Sequence, residues 1–176
     1  MTTSSPDLWV FVPVTAWLAA CAWHDLRTRQ VPNLLTVPPL LLVTFWLAVS
    51  GRPLLALQIV LLVLVSELPG PDGRRRALLG SVLTLLLALY QPSVEAIFQA
   101  LALYASWAMW ELRLAGAADA KLLMALVGLF SVSVFFAIIL VGGLQGLLWK
   151  LAKRQGGMPY AVSIAAGTAI WLASRW

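Results

Sequence analysis

The stretch AKLLMALVGLFSVSVFFAIILVGGLQGLLWK, residues 120 to 150, decides how many helices this chain forms. Between Lys121 and Lys150 it contains no charged residue. A helix rises about 1.5 Å per residue and needs about 20 apolar residues to cross a bilayer. The stretch therefore forms either one long helix or two helices separated near residues 130 to 133.

The rest of the chain has the same character, because apolar runs alternate with short polar or Pro/Gly clusters. Several runs are shorter than the ~20 residues that a full span needs. With a break near residue 130, the pattern predicts an all-α polytopic helix bundle of about eight transmembrane or partly spanning helices, with seven as the alternative. The runs cover about 8–24, 35–50, 54–68, 77–90, 94–112, 120–130, 133–150 and 159–174.

The composition indicates an integral membrane protein. Of 176 residues, 61% are hydrophobic and 11% are charged, against about 45–50% and about 25% in soluble domains. The mean hydropathy is +0.91. Residues 1–7 include no basic residue and so lack the positive segment of a cleavable signal peptide, so we expect the first helix to be kept as a span. No linker divides the chain, which predicts one membrane-embedded domain over residues 1–176.

The positions of the basic residues predict the topology, since cytoplasmic loops are enriched in Lys and Arg. With eight helices and the N-terminus outside, only Arg52 and Arg175 lie outside. A seven-helix chain would move the last cytoplasmic cluster outside, so the charges favour eight. This topology also brings Asp25 and Asp119 to the same membrane face. The cytoplasmic clusters are Arg27 with Arg29, Arg74 to Arg76, Arg113 with Lys121, and Lys150, Lys153 and Arg154.

Charge and rare residue types restrict the function classes. The formal charge of +5 fits attraction to anionic lipid, and no nucleic-acid-binding motif is present. A single cysteine, Cys21, and a single histidine, His24, form neither a disulfide nor a zinc site. No serine has a suitable histidine partner for nucleophilic catalysis. We therefore expect no metal and no cofactor.

The first polar cluster is DLRTRQVPN, residues 25 to 33. Asp25 ends the first helix, where the helix dipole raises the pKa of a carboxyl group and the two arginines that follow lower it. Pro32 interrupts the helix and Asn33 is suited to cap the next one. The cluster holds a carboxylate at a turn near the membrane surface, where an ionisable group is a candidate functional residue. A solvated loop is the alternative.

The second polar cluster is GAADAK, residues 116 to 121. Small residues before Asp119 allow backbone or substrate to approach closely. The alternative is an ordinary acidic residue in the first turn of a helix, where the dipole favours it. Lys121 is expected either to steady an ionised carboxylate or to extend towards lipid phosphate.

Other charged and aromatic residues have simpler interpretations. Glu67, Asp72 and Glu111 fall on the cytoplasmic side, and we expect solvated loop charges, with attraction of a basic peptide as the alternative. The nine tryptophans are interpreted as anchors at the membrane interface.

Together the two clusters resemble the motifs of the type IV prepilin peptidase family, which are membrane aspartyl proteases of the GxGD type. Asp25, Arg27, Pro32 and Asn33 match the first motif. The second is matched by Gly116, Asp119 and Lys121, followed by an apolar helix. A weaker likeness is Pro159-Tyr160 followed by IAAG at residues 164 to 167. The likeness covers most of the chain, with the motifs in the family's order.

The resemblance implies an aspartic endopeptidase that removes the basic leader of type IV prepilin-like precursors. It implies that Asp25 and Asp119 are a catalytic dyad that activates water, at the cytoplasmic face of a prokaryotic cytoplasmic (inner) membrane. The implied partners are the protein substrate and membrane lipid, with no nucleic acid. The remaining motif residues would support the dyad: Arg27, Pro32, Asn33, Gly116 and Lys121.

Three features depart from the family pattern. Ala118 replaces the second motif glycine and is less permissive of positive φ. The aspartates lie 94 positions apart, room for four intervening helices where two are expected, which predicts an extra helical hairpin at about 70–112. The cysteine-bearing region of larger members is absent, so the chain resembles the short, peptidase-only preflagellin and Tad-type enzymes, without methyl transfer.

Two other functions remain as alternatives. The chain could be a catalytically inactive relative that acts in pilus or secretion assembly. It could also be a small proton- or cation-coupled transporter in which Asp25 and Asp119 relay protons, although transporters often show internal repeats.

Overall fold

The computed structural model describes residues 8–70, 72–152 and 158–174, and within these ranges it contains eight α-helices and no β-strand. This confirms the all-α prediction and the count of eight helices. Most predicted runs agree with the helix bounds to within a few residues. The helices are α1 (Leu8–Thr28), α2 (Asn33–Val49), α3 (Pro53–Ser66), α4 (Gly73–Ala88), α5 (Val94–Glu111), α6 (Ala117–Leu129), α7 (Val132–Leu151) and α8 (Tyr160–Ala173).

The break that decides the helix count lies at Phe130. Its backbone leaves the helical region, with φ −107° and ψ −96°. The α6 helix ends at Leu129 and α7 begins at Val132. The seven-helix alternative is therefore wrong, although no proline or glycine marks the break.

The chain packs as two compact units. The first contains residues up to Leu35 and from Ser133 onwards, and the second contains Thr36–Val132. Asp25 belongs to the first unit and Asp119 to the second. The assignment of residues 1–176 to one domain stays a prediction.

In the first unit, α8 packs against α1 and lies very close to α7. A Cβ atom added at Gly167 would be only 2.7 Å from Cα of Ile138, so the two helix backbones nearly touch there. The indole Nε1 of Trp171 donates a hydrogen bond to Ser133 Oγ, at 2.9 Å. These contacts fix α8 along α7.

In the second unit, α5 packs against α3, α4 and α6. Trp107 of α5 is fully buried. Its ring occupies the space that a Cβ at Gly80 would need, and its Nε1 donates to Ser66 Oγ at 2.7 Å. The interpretation of every tryptophan as an interfacial anchor is wrong for Trp107, because its side chain is fully buried against α3 and α4.

A helical hairpin occupies most of the region where the sequence predicts an additional one. The α4 and α5 helices are joined by residues 89–93 and pack on each other. Gln58 of α3 joins them through hydrogen bonds from its Nε2 to Thr84 Oγ1, at 3.1 Å, and to the Ala100 carbonyl, at 2.8 Å. That the hairpin is an insertion stays a prediction.

Among the described residues, α7 is the one helix that is both long and apolar enough to cross a membrane. It has 20 residues and a mean hydropathy of 2.1, and 17% of its apolar stretch is buried. The α2, α3 and α8 helices are apolar but shorter. The outside location of the N-terminus stays a prediction, and it concerns residues 1–7, which lie outside the described residues, as do Lys153, Arg154 and Arg175.

Candidate functional site

Asp25 lies in the last turn of α1 and is buried, with 8% of its surface exposed. Its Oδ2 accepts a hydrogen bond from the backbone N–H of Ala161, at 3.0 Å. Ala161 is the second residue of α8. The N-cap residue of this helix is Pro159, whose side chain makes no capping hydrogen bond. The free N–H groups at a helix N-terminus favour a negative charge. Asp25 therefore supplies the capping carboxylate of α8.

This contact joins two segments that carry separate motifs in the sequence. Pro159 and Tyr160 belong to the third and weakest motif, and they start the helix whose amide binds Asp25. The reason for the proximity lies in the packing of α1 against α8. Sequence patterns alone could not assign this role to Ala161, because the group involved is a backbone amide.

The ionisation of Asp25, which follows the apolar run 8–24, is under opposed influences. Burial has the largest effect and raises its pKa, while the Ala161 hydrogen bond and the charge of Arg29 lower that pKa. From the sequence alone, the helix dipole and both arginines are expected to act on this pKa, whereas of the two arginines only Arg29 has such an effect in the structure. Arg27 instead lies over the ring of Trp23, 4.1 Å from its centroid. That stacking makes Arg27 part of an exposed aromatic–cation pair.

The turn after Asp25 contains a residue in the left-handed backbone conformation. Arg29 has φ 57°, and its N–H donates to the Asp25 carbonyl at 3.0 Å, which is the geometry of a left-handed helix C-cap. A non-glycine residue there costs roughly 1–2 kcal/mol. The Arg29 guanidinium lies 5.4 Å from the ring centroid of Trp149. Pro32 then precedes α2, which begins at Asn33, so the predicted interruption at Pro32 is confirmed. Asn33 is the first residue of α2 rather than the residue before it, so its role as the N-cap stays a prediction.

Asp119 is the third residue of α6 and is half-buried. Gly116 is the N-cap residue of this helix, with φ −69° and ψ 153°. A Cβ atom at Gly116 would lie 3.0 Å from Asp119 Oδ2, so the glycine leaves room for the carboxylate. Ala118 is inside the first turn of α6 and needs no positive φ. Its replacement of the motif glycine therefore introduces no backbone strain, and alanine is the best helix former.

Lys121 lines an apolar groove in the second unit. The groove has a volume of about 430 Å³, and Glu67 lines it too. The rest of its lining comes from α2, α3, α5 and α6. The two alternative roles of Lys121, steadying a carboxylate and extending towards lipid phosphate, stay predictions.

Glu111 was expected to be a solvated loop charge, and this is wrong. It is the last residue of α5, and its side chain is only 3% exposed. Arg76 Nε lies 2.8 Å from Glu111 Oε2, but its N–H is not directed at that oxygen, so the contact is an ion pair rather than a linear hydrogen bond. The sequence signal was weak: Glu111 continues the apolar run of α5 instead of standing in a polar loop.

A polar cavity adjoins this ion pair. Its volume is about 470 Å³, and its wall continues as far as Gly116, beside the Asp119 carboxylate. The lining residues are Ser66, Arg76, Trp110, Glu111, Arg113, Leu114, Ala115 and Gly116.

In the part of the chain that the structure describes, no three His, Cys, Asp or Glu side chains are grouped to hold a metal ion. No protein-family model, curated protein or solved structure matches this chain.

Proposed function

We propose that this protein is a membrane aspartic endopeptidase with Asp25 and Asp119 as its catalytic dyad. Its substrate is a type IV prepilin-like precursor, which it cleaves after the basic leader at the cytoplasmic face of a prokaryotic cytoplasmic membrane. The observation that carries the proposal is the environment of Asp25. A solvated loop carboxylate is exposed and free to rotate, whereas this one is buried and oriented by the Ala161 amide.

The surface of α7 supports the location in a membrane. Phe136, Leu140 and Leu144 of this helix are exposed, and little of its apolar stretch is buried. Soluble monomers rarely expose contiguous apolar patches larger than a few hundred Å². An apolar helix of this length that is not a core helix fits a lipid environment. The proposed arrangement is the eight-helix topology with the N-terminus outside.

The mechanism follows from two carboxyl groups that share one proton. The ionised aspartate takes a proton from water as the water oxygen bonds to the scissile carbonyl carbon, and the protonated aspartate gives its proton to the carbonyl oxygen. The C–N bond then breaks as the newly protonated carboxyl group delivers its proton to the leaving nitrogen. The other carboxylate recovers a proton from a hydroxyl of the intermediate. The two pKa values belong to the pair, so they do not assign the role of base to one of the two residues.

The other motif residues have supporting roles in this proposal. Pro32 separates α1 from α2 just after the Asp25 turn, and Asn33 begins α2. Gly116 provides space beside the second carboxylate. Arg27, stacked on Trp23, suits an anchor at the membrane surface, where an aromatic ring and a cation both have favourable surroundings. No cofactor takes part in the proposed reaction.

Co-expression with prepilin-like substrates that carry a basic leader tests the proposal. The variants are Asp25→Asn, Asp119→Asn and, as a matched control, Glu95→Gln, which removes an exposed carboxylate from the start of α5. We expect the wild type and the control to remove the leader, as measured by mass spectrometry. Each asparagine variant should lose about 10²–10⁴-fold in rate, the usual contribution of a general acid or base.

Other outcomes point to other functions. Processing that survives both asparagine changes would rule out the dyad. If no variant cleaves any substrate, the inactive-relative hypothesis gains support. Proton flux into proteoliposomes that both asparagine variants abolish would support the transporter instead.

A further inference from the structure

The end of α5 is tied to two other helices by charged and polar groups. The buried Glu111 carboxylate pairs with Arg76 of α4, at 2.8 Å. Arg76 Nη1 also donates a hydrogen bond to the carbonyl of Ser66, the last residue of α3, at 3.0 Å. Arg76 therefore connects the ends of α3 and α5.

Gly73, the first residue of α4, completes this contact. A Cβ atom added there would lie 2.1 Å from the backbone carbonyl oxygen of Glu111. Because the obstacle is backbone, no side-chain movement could relieve the clash. The start of α4 thus rests directly on the end of α5. We call Arg76, Glu111 and Gly73 the clamp.

The segment from the clamp to Asp119 is short and closely hydrogen-bonded. Four successive N–H groups donate back to carbonyls of α5: Leu112 to Ala108 at 2.9 Å, Arg113 to Trp110 at 2.9 Å, and Leu114 and Ala115 to Met109 at 2.8 and 3.0 Å. Arg113 has φ 59°, the left-handed conformation that this type of helix end requires. Gly116 follows and caps α6. Hydrogen bonds therefore connect the end of α5 to the segment that leads into the first turn of α6, where Asp119 lies.

The cavity beside this segment explains why the clamp is needed. The wall from Arg113 to Gly116 borders about 470 Å³ of open space, so it has no packed core behind it on that side. Buried ion pairs contribute little net stability compared with apolar residues of similar size, but they require a defined geometry. We expect an apolar pair to hold the helices together without fixing the direction of the segment.

We propose that Arg76 and Glu111 are positioning residues that fix Asp119 for catalysis, and that the α4–α5 hairpin provides this clamp. The inference rests on the proposed function, because it assigns the hairpin a role at the same site. The clamp acts on the second aspartate through the 112–116 segment and does not touch the substrate.

The test replaces the ion pair by an apolar pair, Arg76→Met with Glu111→Leu, in the full chain. Such replacements of buried ion pairs often leave stability unchanged or raise it. Arg74→Met is the matched control, because Arg74 is an exposed arginine on the same helix. With a leader-bearing peptide as substrate, we expect the double variant to lose about 10- to 100-fold in kcat with KM unchanged, as misplacement by about 1 Å can do. The control should keep the wild-type kcat.

A second measurement does not depend on cleavage. A spin label is attached to Asp119→Cys in a Cys21→Ser background, and its mobility is recorded with and without the apolar pair. We expect a more mobile label with the apolar pair and no change with Arg74→Met. If the double variant fails to fold, Glu111→Gln replaces it in both experiments.

An unchanged kcat together with an unchanged mobility of the spin label would overturn the inference while leaving the proposed function intact. A raised KM with normal kcat would also overturn it, because it would indicate a role in substrate binding. If the wild type cleaves nothing, the proposed function fails. The mobility of the spin label then tests by itself whether the clamp fixes residue 119.

Discussion

The burial of Asp25 has a consequence for stability. Because burial raises the pKa of this carboxyl group above its ordinary value, the folded protein binds the proton more tightly than the unfolded chain does. The stability that protonation contributes is present at low pH and is lost as the pH rises through the folded-state pKa. An asparagine cannot ionise and still offers Oδ1 to the Ala161 amide.

We therefore expect Asp25→Asn to unfold at a higher temperature than the wild type at about pH 8, with a difference that shrinks towards about pH 4, near the ordinary pKa of a carboxyl group. Thermal unfolding of the detergent-solubilised protein over this pH range measures it. Glu67→Gln, which removes an exposed carboxylate, should show no such pH dependence. A difference that is the same at both pH values would contradict the burial argument.

Gly116 provides a second prediction at the scale of one residue. Its φ of −69° suits alanine, but an added Cβ would press on Asp119 Oδ2 from 3.0 Å. Gly116→Ala should move the carboxylate by a few tenths of an ångström. We expect kcat to fall by about tenfold or more, while the unfolding temperature changes little.

The matched control for this change is Gly143→Ala in α7, where a Cβ meets no atom within 4 Å. In a helix interior that substitution should stabilise by about 0.5–1 kcal/mol and leave kcat unaltered. Peptide-cleavage kinetics on both variants make the comparison. A normal kcat for Gly116→Ala would mean that the space beside Asp119 is unimportant.

Among the helices, the start of α8 has the most direct connection to the site. Ala161→Pro removes the N–H that donates to the Asp25 carboxylate, at a helix position where proline is often tolerated. A hydrogen bond to a charged group contributes about 1.5–3 kcal/mol. We expect cleavage to fall by about 10- to 100-fold, since 1.4 kcal/mol corresponds to tenfold.

Ala161→Gly distinguishes the contribution of the amide from that of the side chain, because it removes the methyl group and keeps the N–H. Its activity should stay within a few-fold of the wild type, whereas the proline variant loses most of it. Equal losses in the two variants would show that packing of the methyl group, rather than the hydrogen bond, matters. Leader removal followed by mass spectrometry is the measurement.

The helices themselves were largely predictable, because the apolar runs end at Pro, Gly or charged clusters such as those around Pro32 and Gly116. The break at Phe130 needed the charge argument, since the local residues do not require it. The Arg76–Glu111 pair was not predictable. Its members lie 35 positions apart, and sequence periodicity does not report which charges become buried. The Ala161 contact was not predictable either, because the residue type does not indicate which backbone amide binds a carboxylate.

At the scale of the whole molecule, the proposal depends on membrane topology. Eight helices with the N-terminus outside bring the turn after α1, the α5–α6 segment and the start of α8 to the cytoplasmic side. The basic residues of these regions agree with that orientation. Asp25 and Asp119 must lie on the same side of the membrane to act on one peptide bond. Measuring the topology therefore tests the proposed function without a substrate.

Single cysteines in a Cys21→Ser background measure this topology. Gln30→Cys and Ala115→Cys should resist a membrane-impermeant thiol reagent in intact spheroplasts and react once the membrane is opened. Pro92→Cys and Ser131→Cys should react from outside in both preparations. Labelling of residues 30 and 115 from opposite sides would exclude a shared site, because the two aspartates beside them would then face different compartments. Protection of residue 131 alone would mean that α6 and α7 enter and leave on the cytoplasmic side. Lys150 would then stay cytoplasmic, but only six helices would cross the membrane fully.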